Sequence, residues 1–182
     1  MADTTAPTIA VTSPTAGSYE LGQQLPVSFS CTDGAGIAGC TATLARPGAK
    51  PSTVVSGQKV GLSAAGRYVL QVSGTDSAGN AGSTVVQFTV IDTVAPKIVV
   101  TSPKAKTYRL GEKLPVRVTC TDDAGIAACK ATLGRVGAKL ASVNTDKTVK
   151  LSKPGRYVLR VTATDRSGNT ATKTLEFKVA KH

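Results

Sequence analysis

The chain is poor in aromatic residues, with no tryptophan, three phenylalanines and four tyrosines among 182 residues. A core built from it must rest on Val, Leu, Ile and Ala. The only histidine is His182, so no internal imidazole is available as a general base or metal ligand. No apolar run approaches the roughly twenty residues that a membrane-spanning helix needs. Met1-Ala2-Asp3 leads straight into the first motif without a secretory leader, so membrane insertion is not expected. No segment keeps a helical apolar period over helical length. A Gly-x-Ser-x-Gly elbow and a phosphate-cradling glycine loop are both missing.

What is present is a duplication. Cys31-Thr-Asp-Gly-Ala-Gly-Ile-Ala-Gly-Cys40 returns as Cys120-Thr-Asp-Asp-Ala-Gly-Ile-Ala-Ala-Cys129, an offset of 89 residues that aligns the halves without a gap. About half of the aligned positions are identical. So long a period fits two small domains, residues 3–91 and 92–182, better than a solenoid. Domains of this size bury a small share of their chain and often need a staple. Four cysteines allow three pairings, and only Cys31–Cys40 with Cys120–Cys129 keeps each repeat self-contained. A zinc site would have to bridge both repeats with no histidine to help. Disulfides imply an oxidising compartment, extracellular or at the cell surface. Such a chain without its leader is expected to be a fragment of a longer exported protein, monomeric by itself.

Within each repeat the signals are those of strands. Thr8 to Thr12 alternates apolar and polar residues, and Tyr19-Glu20-Leu21 is a short extended piece. Leu25 to Cys31 alternates again, and Cys40-Thr-Ala-Thr-Leu44 places Cys40, Ala42 and Leu44 inward. Val54-Val55 and Val60-Gly61-Leu62 are weaker signals. Leu62-Ser-Ala-Ala-Gly66-Arg-Tyr68, repeated as Leu151-Ser-Lys-Pro-Gly155-Arg-Tyr157, has the form of a tyrosine corner. Asp76-Ser-Ala-Gly79-Asn80 is a tight hairpin. Each repeat therefore reads as about seven short strands, an all-β Greek-key sandwich of the immunoglobulin type.

Enzymatic readings fail on inventory. The carboxylates of the first repeat, Asp3, Glu20, Asp33 and Asp76, lie in or near turns, whereas a glycosidase opposes two across a cleft. Lys50 and Lys59 lie in loop-like sequence, unlike the buried lysine of an isopeptide cross-link.

The charge is uneven. Residues 3–91 carry four basic and four acidic side chains, while residues 92–182 carry eighteen basic and seven acidic. Lys104, Lys106, Arg109, Lys113, Arg117 and Arg160 are candidates for holding an anionic cell-surface polymer or glycan. Alternation also points Arg156, Lys173 and Lys178 outward. The competing reading is a solvated surface with lysines guarding strand edges. Without interleaved aromatics, sequence-specific or single-strand nucleic-acid binding is not expected. Tyr19 and Tyr108 are the only candidate stacking platforms for a sugar.

The opening Asp-Thr-Val-Ala-Pro96, the cysteine loop, Gly-Arg-Tyr-Val-Leu and Thr-Asp-x-x-Gly-Asn together resemble bacterial immunoglobulin-like (Big/HYR-like) repeat domains. That resemblance implies a tandem module of a secreted or surface-anchored protein. It would act as a non-catalytic spacer or adhesin stalk, or beside an exported hydrolase as an accessory domain. In related calcium-binding repeats, the linker Asp and the Asp of the Thr-Asp-x-x-Gly-Asn turn can hold Ca²⁺ between domains. This transfers to Asp92 and Asp165, with Asp3 and Asp76 as counterparts. The loops of such a sandwich would also bring Asp122 and Asp123 towards Asp92, with Glu20 nearby. The linker around Pro96 is expected to be stiff, giving a rod.

Overall fold

In a computed structural model, residues 2–181 are described, and every regular element among them is a strand. The chain divides into two compact units, residues 1–92 and 93–182.

The first unit contains β1 (Thr8–Ser13), β2 (Ser18–Glu20), β3 (Gln24–Pro26), β4 (Ser28–Thr32), β5 (Ile37–Ala45), β6 (Ser52–Val54), β7 (Lys59–Gly61), β8 (Gly66–Asp76) and β9 (Ala81–Ile91). The second repeats them as β10 (Lys97–Ser102), β11 (Thr107–Arg109), β12 (Lys113–Pro115), β13 (Arg117–Thr121), β14 (Ile126–Arg135), β15 (Ala141–Val143), β16 (Thr148–Lys150), β17 (Gly155–Asp165) and β18 (Thr170–Ala180). One layer of the first unit is a five-stranded sheet in the order β2-β9-β8-β5-β6, and β1-β4 with β3-β7 form the other. The second unit has β11-β18-β17-β14-β15 facing β10-β13 and β12-β16. These are two tandem immunoglobulin-like sandwiches.

The expected strand from Leu25 to Cys31 is split at Val27, because Pro26 has no N–H to give to a ladder. Val27 instead pairs with the neighbouring turn: its N–H donates to the Gln58 carbonyl, and its own carbonyl accepts from Gly57 N–H. The opening strand is likewise split, at the cis Ser13–Pro14 bond. The second piece, β2, runs parallel to β9, just as β11 runs parallel to β18.

Alternation along β8 buries Tyr68, Leu70 and Val72, which meet Leu25, Val27 and Val60 of the opposite layer. The corner forms as expected. The Tyr68 hydroxyl accepts from Ala64 N–H, and the Tyr157 hydroxyl donates to the Lys153 carbonyl. Tyr68 stacks on Phe88, which makes a T-shaped contact with Tyr19; Tyr157, Phe177 and Tyr108 repeat the arrangement. Tyr108 is therefore a core residue, 5% exposed, and Tyr19 is half-buried against Phe88. Neither presents a free ring face for a sugar, which corrects that expectation. Aromatics this few go where each buries the most area.

Candidate functional site

Both disulfides pair as the spacing required, Cys31 of β4 with Cys40 of β5 and Cys120 of β13 with Cys129 of β14. Each bond ties one layer of its sandwich to the other beside the loop that it closes.

The same end of the first unit gathers carboxylates. Asp3, Asp33 and Asp76 each offer an oxygen within 4.8 Å of the others, and Asp92, Asp122 and Asp165 do the same. The segment before β1, the turn after β4 and the end of β8 supply the first triad. Each carboxylate is also fixed locally. Asp3 accepts from Thr5 N–H at 3.0 Å, and Asp33 from Ala35 N–H at 2.8 Å. Asp76 is 1% exposed and accepts from the Asn80 backbone and side-chain amides, both at 2.8 Å. Burial by itself pushes the Asp76 carboxyl up. The bonds from Asn80, with further backbone donors at Ala78 and Gly79, outweigh it and hold the group below the usual aspartate value.

The second triad differs at its buried aspartate. Asp122 accepts from Ala124 N–H, and Asp165 Oδ1 from Asn169 N–H. The Asn169 side-chain amide donates to the Val94 carbonyl. Asp165 Oδ2, fully buried, has no hydrogen-bond partner. A buried carboxylate oxygen left so is costly, and it is chemically open to a cation.

Of the acidic residues read from the sequence, Asp92, Asp122 and Asp165 come together; Asp123 is not part of the triad, nor is Glu20, which lies on β2. Asp33 was missed as a member of the first triad. The duplication held the signal: positions 3/92, 33/122 and 76/165 are Asp in both repeats, whereas Asp123 aligns with Gly34.

The six basic candidates do not share one face. Lys104 and Lys106 precede β11, with the Lys106 ammonium 4.8 Å from the Tyr108 ring centre. Arg109 ends β11 and Arg160 lies on the outer face of β17, both in the five-stranded sheet. Lys113 and Arg117 belong to β12 and β13 in the opposite layer. Lys173 corrects another expectation. It occupies an inward register position beside Ala171 and Leu175, and its ammonium donates to the Ile98 carbonyl at 3.3 Å.

These features define a class: paired immunoglobulin-like sandwiches, each stapled between layers by one short-loop disulfide. No protein-family model matches the chain, and no curated protein matches it in sequence. Among solved structures, a tetra-tandem repeat from the extending region of a large adhesion protein is similar at 16% identity and a TM-score of 0.50. The match covers 96% of this chain and 49% of that one. Fibronectin(III)-like modules of Clostridium thermocellum CbhA match at 18% identity and a TM-score of 0.40, over 96% and 95% of the two chains. Drosophila N-cadherin EC1-4 matches at 18% identity and a TM-score of 0.38, over 99% and 51%. The likeness to the adhesion-protein repeat is one of fold alone.

Proposed function

We propose that the chain is a non-catalytic spacer or adhesion module, a pair of immunoglobulin-like repeats from an exported bacterial protein. The observation that carries this reading is the parallel pairing of β2 with β9 and of β11 with β18. Tension applied to the ends of a repeat loads such a pair in shear, so its hydrogen bonds resist together rather than one after another. Two separate cores and a disulfide in each repeat suit a series element of a longer chain. Single-molecule pulling on the full chain is the test. Two unfolding events of similar length are expected, and Tyr19→Pro, which removes a donor from β2 together with the ring packed on Phe88, should lower the force of one event only. A single cooperative event, or no change in force, would remove the mechanical reading.

The acidic triads favour a second reading, a divalent cation of the Ca²⁺ type. Asp92, Asp122 and Asp165 would hold it in one repeat, and Asp3, Asp33 and Asp76 in the other. Calcium takes six to eight oxygens, so carbonyls and water would complete the shell. The unpartnered buried Oδ2 of Asp165 supports the second triad over the first, where Asn80 already occupies the equivalent oxygen of Asp76. Calcorimetric titration with Ca²⁺ should find a tighter site that Asp165→Asn removes. Equal melting curves in Ca²⁺ and in EGTA would reject the metal.

A further inference from the structure

The two repeats share a sheet but not its surface. On the outer face of the first five-stranded sheet the charged side chains are Glu20 and Arg67. The equivalent face of the second carries five basic residues, Arg109, Lys130, Arg156, Arg160 and Lys178, and one acidic residue, Glu176. Glu176 is already engaged, in an ion pair with Arg156. Lys130, Arg160 and Lys178 are exposed and make no ion pair among the described residues.

The register places these charges in a bed of hydroxyls. Arg160 stands between Thr132 and Thr174, and Lys130 is in line with Thr162 and Thr172. Neighbouring strands lie about 4.8 Å apart, and successive outward residues roughly 6.8 Å. Arg160 and Lys130 are thus diagonal neighbours, with threonines at the other corners. At the same positions the first repeat has Gln71 for Arg160, Thr41 for Lys130 and Thr89 for Lys178.

We propose that this sheet face binds an anionic polysaccharide, with Lys130, Arg160 and Lys178 meeting its charged groups and the threonines its hydroxyls. The proposal goes beyond the spacer reading and stands without it. Charge complementarity selects a polyanion. The hydroxyl bed, with no aromatic ring on the face, suits sugar rings rather than bases, which bind by stacking. Strand-mounted side chains in fixed rows form a flat, repeating surface matched to an extended polymer. The residues at stake are separate from the acidic triads and from β2, so failure here leaves the mechanical and cation tests untouched.

The probe is a heparin oligosaccharide, titrated calorimetrically into the full chain at about 0.15 M salt. One variant, Lys130→Thr with Arg160→Gln and Lys178→Thr, installs the first repeat's residues, so the sheet should stay folded. A control, Lys113→Gln with Arg117→Ser and Lys147→Gln, removes as many charges elsewhere, again with the first repeat's residues. The face variant should bind at least tenfold more weakly, and the control should change less than threefold. The slope of log affinity against log salt should fall by roughly two to three for the face variant, one per lost contact. Thr162→Val with Thr172→Val should weaken binding severalfold at unchanged slope. If the triple variant loses its fold, Arg160→Gln alone carries the test, with a threefold loss expected. Equal losses in face variant and control would overturn the proposal, as would no binding by the native chain. A duplex DNA of matched charge binding as tightly as heparin would overturn the assignment to a sugar polymer.

Discussion

The two repeats are nearly one protein inside and two outside. All twelve buried residues of the first core, from Leu25 to Val90, recur as the same residue type 89 positions later. On the outer face of the five-stranded sheet most positions differ, and the second repeat carries all of the chain's net positive charge. Interior positions are closely packed, so a change of even one methylene is felt. A solvated strand face accepts almost any polar side chain at small cost. The difference between the repeats is thus a difference of surface chemistry on an unchanged frame.

The largest expected effect tests whether the frames are independent. Replacing Cys31 and Cys40 by alanine frees a ten-residue loop and should cost the first repeat about 2–4 kcal/mol. Hydrogen exchange resolved by residue should show the second repeat nearly unchanged, and the reverse for Cys120 and Cys129. Equal loss in both repeats would break the comparison at its root.

The next effect is set by one hydrogen bond that the repeats do not share. Asp76 is held below its ordinary pKa, so it binds a proton less readily folded than unfolded. Its contribution to stability is full above the unfolded aspartate value of about 4 and drains away as pH falls through the lower folded value. Asp76→Asn should therefore destabilise the first repeat at neutral pH and flatten the acid side of its stability profile. Asp165→Asn in calcium-free buffer should cost less, because Oδ2 there has no partner to lose. Chemical denaturation from pH 6 to pH 2.5, followed with a probe in each repeat, distinguishes them.

A third contrast lies in a turn. Gly57 has a φ of 90°, and its counterpart Asp146 has a φ of 65°. A Cβ in this left-handed region is strained, though aspartate tolerates it better than most residues. Asp146→Gly should stabilise the second repeat by about 0.5–1 kcal/mol, and Gly57→Asp should destabilise the first by a similar amount, both read from denaturation midpoints. The smallest effect belongs to Arg156–Glu176, an ion pair with both side chains largely in water. Glu176→Gln copies the first repeat, where Arg67 faces Gln87, and should shift stability by less than about 0.5 kcal/mol.

Much of this architecture is legible in the residues themselves. Alternation marks the strands, the duplication marks the two units, and the cysteine spacing leaves one sensible pairing. Leu62 and Tyr68, flanking a glycine reversal, announce the corner. The reading falters where local pattern meets a partner it cannot name. Val27 lies in an unbroken alternation, yet Pro26 divides the strand. Lys173 sits in a polar run and reads as outward, although the register against Val161 of β17 puts it on the inner side.

By itself the sequence determines that side chains alternate along each unbulged strand, because that period of two holds whatever the neighbours are. It also determines where loops close, since glycine, proline and a short cysteine spacing act locally. Which strands lie side by side is settled only when distant segments pair, and three outcomes depend on that pairing. Asp3 meets Asp33 and Asp76 because the chain start, the turn after β4 and the end of β8 converge. Asp165 Oδ2 is buried without a hydrogen-bond partner where the end of β17 meets the segment that carries Val94, whose carbonyl accepts from the Asn169 amide. Arg160 and Lys130 become neighbours while Arg117, closer to Lys130 in sequence, lies in the opposite layer. Sheet order is a long-range property of the packed core, and nothing within reach of a single strand encodes it.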